Sequence, residues 1–218
     1  MARPPERDAE LARYHGASVV AIGAHPDDLE VGAGGTLARL ARAGSRVVIA
    51  VLSVPTQPAV RVREAKNAAA LLGCELRFVT SDCRHVEDLK TYEAVSALDK
   101  IVKEINPRLM ISHSSCDYHH DHILAGQAAL ATQRLGHFDF WRFATSLRTP
   151  RAEPFLPSLY VNITETVDAK LRAIDAHESQ FKKRGQDTSI FREMARVHGR
   201  SAGVEYAEAF EVSRLILN

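Results

Sequence analysis

A histidine and two aspartates follow an apolar stretch near the start of the chain, in the sequence Ala-His-Pro-Asp-Asp-Leu-Glu at residues 24–30. Imidazole and carboxylate groups this close together are typical of a metal site, and the proline stiffens the turn that carries them. The spacing allows His25 and Asp28 to approach one ion while Asp27 stays free to act as a base. The alternative is a polar strand-to-helix turn in which Asp27 or Asp28 caps the following helix. Both interpretations stay open on this segment alone.

A second polar cluster follows another apolar stretch and occupies residues 113–122. It contains four of the ten histidines of the chain. Clustered histidine and aspartate side chains are typical of metal or catalytic sites, and the alternative is a solvated polar loop. The second cluster therefore favours the metal interpretation of the first.

The two clusters together carry a family resemblance. Residues 24–30, the Gly-Gly-Thr-Leu of residues 34–37 and the Asp-Tyr-His-His-Asp-His of residues 117–122 resemble motifs of the LmbE-like (PIG-L) N-acetylglucosaminyl deacetylases. The first motif is the most specific. Supporting matches follow in order at residues 61–64, 69–73, 170, 177–180 and 206–210.

The resemblance implies a hydrolase that removes an acetyl group from an N-acetylglucosamine-type sugar or glycoconjugate. It assigns His25, Asp28 and His122 as ligands of Zn²⁺, with Fe²⁺ or another divalent ion as the alternative. Asp27 is then expected to activate the attacking water as a general base.

The same resemblance gives roles to four further residues. His119 is expected to stabilise the oxyanion, with Asp121 holding its ring and favouring the charged form. Arg61 and Asp82 are expected to contact substrate; the alternatives are a solvated pair of Arg61 with Glu64 and an exposed turn for Asp82. No role is assigned to His113, His120 or Cys116, and the aromatic segment 138–143 is interpreted as packing.

Two other classes of function remain as alternatives. The ligand set of two histidines and one carboxylate is also that of non-haem Fe(II) oxygenases. A carboxylate base beside the open ligand position favours hydrolysis instead. A non-catalytic sugar- or nucleotide-binding module using the glycines of residues 32–35 is weaker, because Gly-x-Gly-x-x-Gly spacing is missing.

Composition limits the partners. With 28 basic and 27 acidic residues, the chain gives no electrostatic reason to expect nucleic acid as a partner. No apolar stretch approaches the ~18 residues of a membrane span. Three cysteines without paired spacing indicate a reducing, cytoplasmic location. A small N-acetylated sugar conjugate is the expected partner, and a homo-oligomer is left open.

Apolar stretches alternate with helix-length segments, which predicts a Rossmann-like, doubly wound α/β fold with a mostly parallel sheet flanked by helices. We expect an N-terminal surface arm at residues 1–16 and a single domain at residues 17–218. Strand order 3-2-1-4 would place both polar clusters side by side at the switch point. Residues 123–136 should form a helix with His122 in its first turn, residues 137–149 an irregular segment, and residues 209–217 a last edge strand.

Overall fold

The computed structural model describes residues 11–79, 84–145 and 154–217. A central sheet is covered by helices on both faces. The strands are β1 (Ser18–Gly23), β2 (Arg46–Val51), β3 (Glu75–Phe78), β4 (Leu109–His113), β5 (Asp139–Phe143), β6 (Leu159–Asn162) and β7 (Ala207–Arg214). The helices are α1 (Asp28–Arg42), α2 (Pro58–Leu72), α3 (Thr91–Ile105), α4 (His120–Ala131), α5 (Val167–Asp175) and α6 (Ser189–Ala202).

The strand order is β3-β2-β1-β4-β5-β7-β6. β1 to β5 are parallel, and β7 runs antiparallel to both β5 and β6. The predicted doubly wound, mostly parallel α/β fold and the predicted order 3-2-1-4 are therefore confirmed. Because β1 and β4 are neighbours, the segments that follow them leave the sheet next to each other.

The strands bury both faces, and their side chains alternate between two cores. Val19 and Ala21 of β1 belong to one core, and Val20 and Ile22 belong to the other. A strand covered on both sides needs apolar residues at every position, which explains the unbroken apolar stretches in the sequence.

Three expectations about the chain outside the first four strands were wrong. Residues 139–143 form β5 rather than an irregular segment, and its aromatic side chains, Trp141 among them, are buried as packing residues. β7 lies inside the sheet, between β5 and β6, instead of at its edge. Leu11 and Tyr14, which fall in the expected surface arm, are buried in the core. Each error concerns long-range packing that local patterning does not report.

The helices of the described residues include none that is both long and apolar enough to span a membrane.

Candidate active site

The turn between β1 and α1 carries the first cluster. Asp27 occupies the N-cap position of α1 in a left-handed conformation with φ 96°, and its side chain makes no capping hydrogen bond. The backbone N–H of His25 instead donates to Asp28 Oδ2 at 2.7 Å. Capping by Asp27 or Asp28 was the alternative interpretation of this turn. The turn leaves the Asp27 carboxylate available for another role.

The loop between β4 and α4 carries the second cluster. Asp117 Oδ1 accepts the backbone N–H of His119 at 3.0 Å, a local turn that leads into the first residues of α4. His122 lies in the first turn of α4, as predicted. Its ring stacks between those of His113, at a centroid distance of 4.4 Å, and His119, at 4.5 Å. This stacking fixes the plane of the His122 ring.

Asp28 joins the two clusters. Its Oδ1 lies 3.3 Å from His122 Nε2, and its Oδ2 lies 3.9 Å from His25 Nδ1. Donor atoms bonded to one tetrahedral zinc ion at ~2.1 Å would be about 3.4 Å apart. All three residues are buried. The separation between Asp28 and His122 is close to this value, and that between Asp28 and His25 is longer.

The other nitrogen of each imidazole faces a carboxylate. His25 Nε2 is 2.8 Å from Asp121 Oδ2, and His122 Nδ1 is 3.0 Å from Asp117 Oδ2. Histidines that bind metals usually donate their second N–H to such a partner, which fixes the tautomer and the ring orientation. The chemistry of the donor set therefore fits a divalent metal.

The charges of the site favour a cation at this position. Burial alone would lower the pKa of His122, but Asp28 and Asp117 raise it to about 10. Burial alone would likewise raise the pKa of Asp28, yet His122 and His113 hold it well below its usual range. In the metal-free protein, an imidazolium thus supplies the positive charge that a bound ion would supply.

Asp27 has a different environment. Burial and the neighbouring Asp28 raise the pKa of Asp27 to about 6, against the opposing effect of Arg61. Arg61 Nη2 donates to the Pro26 carbonyl at 2.7 Å and lies 3.4 Å from Asp27 Oδ1. A carboxylate with a pKa near neutrality suits general-base catalysis.

Arg61 and Glu64 do not form a solvated pair, because both are buried and each has its own partners. Glu64 accepts hydrogen bonds from the backbone N–H and the hydroxyl of Ser179, at 2.9 and 2.6 Å. Arg61 lies behind Asp27 and holds the turn, so a contact with substrate stays a prediction. Asp82 lies outside the described residues.

Asp121 has other hydrogen-bonding partners than the one expected. Asp121 was expected to hold the ring of His119, but Oδ2 bonds to His25 and Oδ1 accepts the backbone N–H of Glu87 at 2.8 Å. Burial, together with His122 and His25, lowers the pKa of His119, which is opposite to the charged form expected. His119 itself is exposed beside the cluster.

Donor atoms among the described residues form three overlapping groups that could hold an ion. They are His25 with His119 and His122, His25 with His85 and Asp121, and Asp28 with His113 and His122. The predicted ligands are shared among these groups but do not form one of them. We propose the predicted set over the group of His25, His85 and Asp121, because it leaves Asp117 and Asp121 free to orient the two histidines.

Sequence reasoning missed three residues of the site. Asp117 orients His122, His113 lies fully buried with Nε2 3.1 Å from Asp28 Oδ2, and His85 Nδ1 lies 3.3 Å from Asp121 Oδ2. For Asp117, the spacing of two residues to His119 was an available signal, since aspartate at that offset often closes a turn. His85 comes from a distant segment and had no local signal.

Comparison with known proteins shows the family of the chain. The family model described as PIG-L, GlcNAc-PI de-N-acetylase, matches residues 20–132. The chain is 30% identical to the uncharacterised deacetylase YaiS of Escherichia coli over 178 residues, covering 74% of this chain and 90% of YaiS. It is 26% identical to the diacetylchitobiose deacetylase of Thermococcus kodakarensis, covering 87% of this chain and 80% of that protein.

Among solved structures, the conserved protein TT1542 from Thermus thermophilus superposes with a TM-score of 0.76 and 27% identity, covering 93% of this chain and 97% of TT1542. The family match includes both polar clusters and the helices that follow them. The chain belongs to the PIG-L (LmbE-like) family.

Proposed function

We propose that this protein is a divalent-metal-dependent deacetylase that hydrolyses the acetamide of an N-acetylglucosamine-type sugar or glycoconjugate. The observation that carries the proposal is the pairing of the two imidazoles. His25 and His122 each turn one nitrogen toward Asp28 and the other toward a buried carboxylate.

His25, Asp28 and His122 would hold the metal. Zn²⁺ suits two imidazoles and one carboxylate with a position left for substrate, and Fe²⁺ or another divalent ion remains the alternative. When bound, such an ion supplies Lewis-acid activation of water and of the amide carbonyl.

Asp27 is the general base in this proposal. It takes one proton from the attacking water as the water oxygen adds to the amide carbon. In the metal-free protein, burial and Asp28 raise its pKa, which makes it a stronger base than a free aspartate. Arg61 holds the Pro26 carbonyl and faces Asp27, which keeps the carboxylate at the edge of the site.

His119 stabilises the oxyanion in this proposal. Its ring is exposed beside His122, and its lowered pKa keeps it neutral, so it contributes an N–H donor rather than a full charge. Collapse of the tetrahedral intermediate breaks the C–N bond, and the proton held by Asp27 passes to the departing amine. The products are acetate and the free amino sugar.

The substrate class follows from the family and its members. The description of the matching family model names GlcNAc-PI as the substrate, and the name of the relative from Thermococcus gives diacetylchitobiose. Both substrates carry the acetamide of N-acetylglucosamine. A cytoplasmic location is part of the proposal, because the three cysteines show no paired spacing.

The test is a panel of N-acetylated glycoconjugates incubated with zinc-loaded protein, with free amine and acetate measured together. Equal release of both products, lost on chelation and regained with zinc, is expected. His119→Ala should lower kcat by ~10²-fold or more with the metal retained, in line with loss of an oxyanion donor.

Two outcomes would contradict the proposal. Oxygen consumption with iron and a 2-oxo acid, without acetate release, would indicate the oxygenase instead. Saturable sugar binding with no release of amine from any compound would indicate a binding module.

A further inference from the structure

A buried ion pair lies outside the metal cluster, between α5 and β7 and in contact with α1. Lys170 of α5 and Glu208 of β7 are each 3% exposed, and the Lys170 ammonium donates to Glu208 Oε1. Burial removes water from both charged groups. The free energy lost in this way is offset only if each group also makes further hydrogen bonds.

These bonds go to the backbone of α1. Glu208 Oε1 accepts the N–H of Gly35 at 2.9 Å, and Oε2 accepts the N–H of Thr36 at 2.7 Å. Lys170 Nζ donates to the Val31 carbonyl at 2.6 Å. In a regular helix, the Gly35 N–H is the partner of the Val31 carbonyl. Here a carboxylate and an ammonium from two other elements bind both members of that hydrogen bond.

Two glycines of α1 allow this approach. A Cβ at Gly34 would lie 3.3 Å from Lys170 Cγ, and a Cβ at Gly35 would lie 2.7 Å from Ile163 Cδ1. A side chain at Gly35 would displace Ile163, in the segment before α5, whereas a methyl group at Gly34 would crowd the Lys170 side chain slightly. The Gly-Gly motif of residues 34–35 therefore has a packing role that lets the pair reach the backbone.

The pair is connected to the site through one residue, Val31. The Val31 N–H donates to the Asp27 carbonyl at 3.0 Å, while the Val31 carbonyl accepts from Lys170. Thr166 Oγ1 adds a bond to the Gly35 carbonyl at 2.8 Å. The first turn of α1, which begins at Asp28, is thus held from the α5 and β7 side.

A ligand is a poor explanation for the pair. The cavity beside Lys170 and Glu208 has a volume of about 30 Å³, which has room for water but not for a sugar ring. The charged atoms are instead occupied by each other and by the α1 backbone.

We propose that the Lys170–Glu208 pair is a positioning element of the metal site: it fixes the first turn of α1 and thereby places Asp28 opposite His122. The inference rests on the proposed function in one respect, namely that Asp28 is a metal ligand. Neither Lys170 nor Glu208 touches the reacting atoms.

The test compares Glu208→Gln with Asp139→Asn, using Co²⁺ in place of the native metal. Asp139 is a matched control, because it is also a fully buried carboxylate that accepts a backbone N–H, from Ile216 at 2.7 Å, and pairs with a cation, Arg13 at 3.3 Å. It lies at the start of β5, whereas the metal cluster follows the carboxyl ends of the parallel strands β1 and β4. Both substitutions should lower the melting temperature.

Only Glu208→Gln should affect the metal site. We expect its affinity for Co²⁺ to fall about tenfold, toward the low end for residues that orient ligands indirectly. Its visible Co²⁺ spectrum at full saturation should also shift, which general destabilisation would not cause. Asp139→Asn should keep the wild-type affinity and spectrum.

Wild-type affinity and spectrum in Glu208→Gln would overturn the positioning role alone. Wild-type protein that binds no Co²⁺ would overturn the proposed metal site as well. If Glu208→Gln fails to fold, Gly34→Ala replaces it, since its Cβ perturbs Lys170 more gently. A spectral shift in Gly34→Ala is expected, and its absence would overturn the proposal.

Discussion

The turn after β1 and the loop after β4 each supply one side of the same site, but they hold their side chains by different means. The turn is closed within itself by the bond from the His25 N–H to Asp28, and it is buried. The loop depends on distant residues: Ser114 bonds to Glu211 of β7 at 2.7 Å, and Thr145, after β5, donates to Asp117 at 2.9 Å. The turn therefore has a closing bond of its own, to which Arg61 adds a bond at the Pro26 carbonyl, whereas these bonds of the loop go to β7 and to the segment after β5.

This difference assigns distinct tasks to the two segments. The turn provides Asp28, which faces both imidazoles, and Asp27, the proposed base. The loop provides His122 together with Asp117 and Asp121, the carboxylates that orient the imidazoles of both segments. Substitutions can separate the ligands from the base and from the orienting carboxylates.

The largest effect is expected from removing a ligand on either side. Asp28→Ala in the turn and His122→Ala in the loop should both lose the metal and reduce deacetylation by ~10⁴-fold or more, because several kcal/mol of Lewis-acid stabilisation disappear. Metal content by mass spectrometry and acetate release measure the two losses. Full metal content in either variant would remove that residue from the ligand set.

Asp27→Asn should have the next largest effect, through the base alone. We expect kcat to fall about 10³-fold with the metal retained. In the wild type, activity should fall as pH drops through the pKa of Asp27, which is about 6 without metal and lower beside a bound cation. Rates of both proteins measured from pH 4 to 8 test this. An acidic limb that survives in Asp27→Asn would assign it to another group.

The orienting carboxylates should have intermediate effects. Asp117→Asn, which affects His122, and Asp121→Asn, which affects His25, should each weaken metal binding by ~10- to 100-fold. Competition with a chromogenic chelator measures the affinities. If Asp121→Asn lowered kcat and left the metal affinity unchanged, Asp121 would act on His119 rather than on His25.

Per pH unit, the smallest effect is a change in metal affinity. His122 has a pKa of about 10 in the metal-free protein, so it is protonated at neutral pH and must lose that proton to bind an ion. Affinity should therefore rise about tenfold per pH unit between pH 6 and 9. Calorimetry in buffers of different ionisation enthalpy counts the released protons. A metal affinity that does not change with pH would show that His122 does not lose a proton when the metal binds.

The same contrast explains what could be predicted from the sequence. The parallel strands, the order of the first four and the meeting of the two clusters follow from patterns that are continuous along the chain. The partners of Asp121 could not be predicted, because one of them lies in the distant segment around Glu87. The aromatic strand β5 could not be predicted either, because it pairs with β7. β7, the last strand along the chain, runs antiparallel to its two neighbours in the sheet, and no local motif signals that reversal.

The most direct test of the proposed ligand set is the location of the metal in a crystal of the zinc-loaded protein, from anomalous scattering at the zinc edge. We predict one strong peak within ~2.0–2.2 Å of His25 Nδ1, an Asp28 oxygen and His122 Nε2. A peak between His25, His85 and Asp121, or one bound by His119 in place of Asp28, would contradict the proposed ligand set.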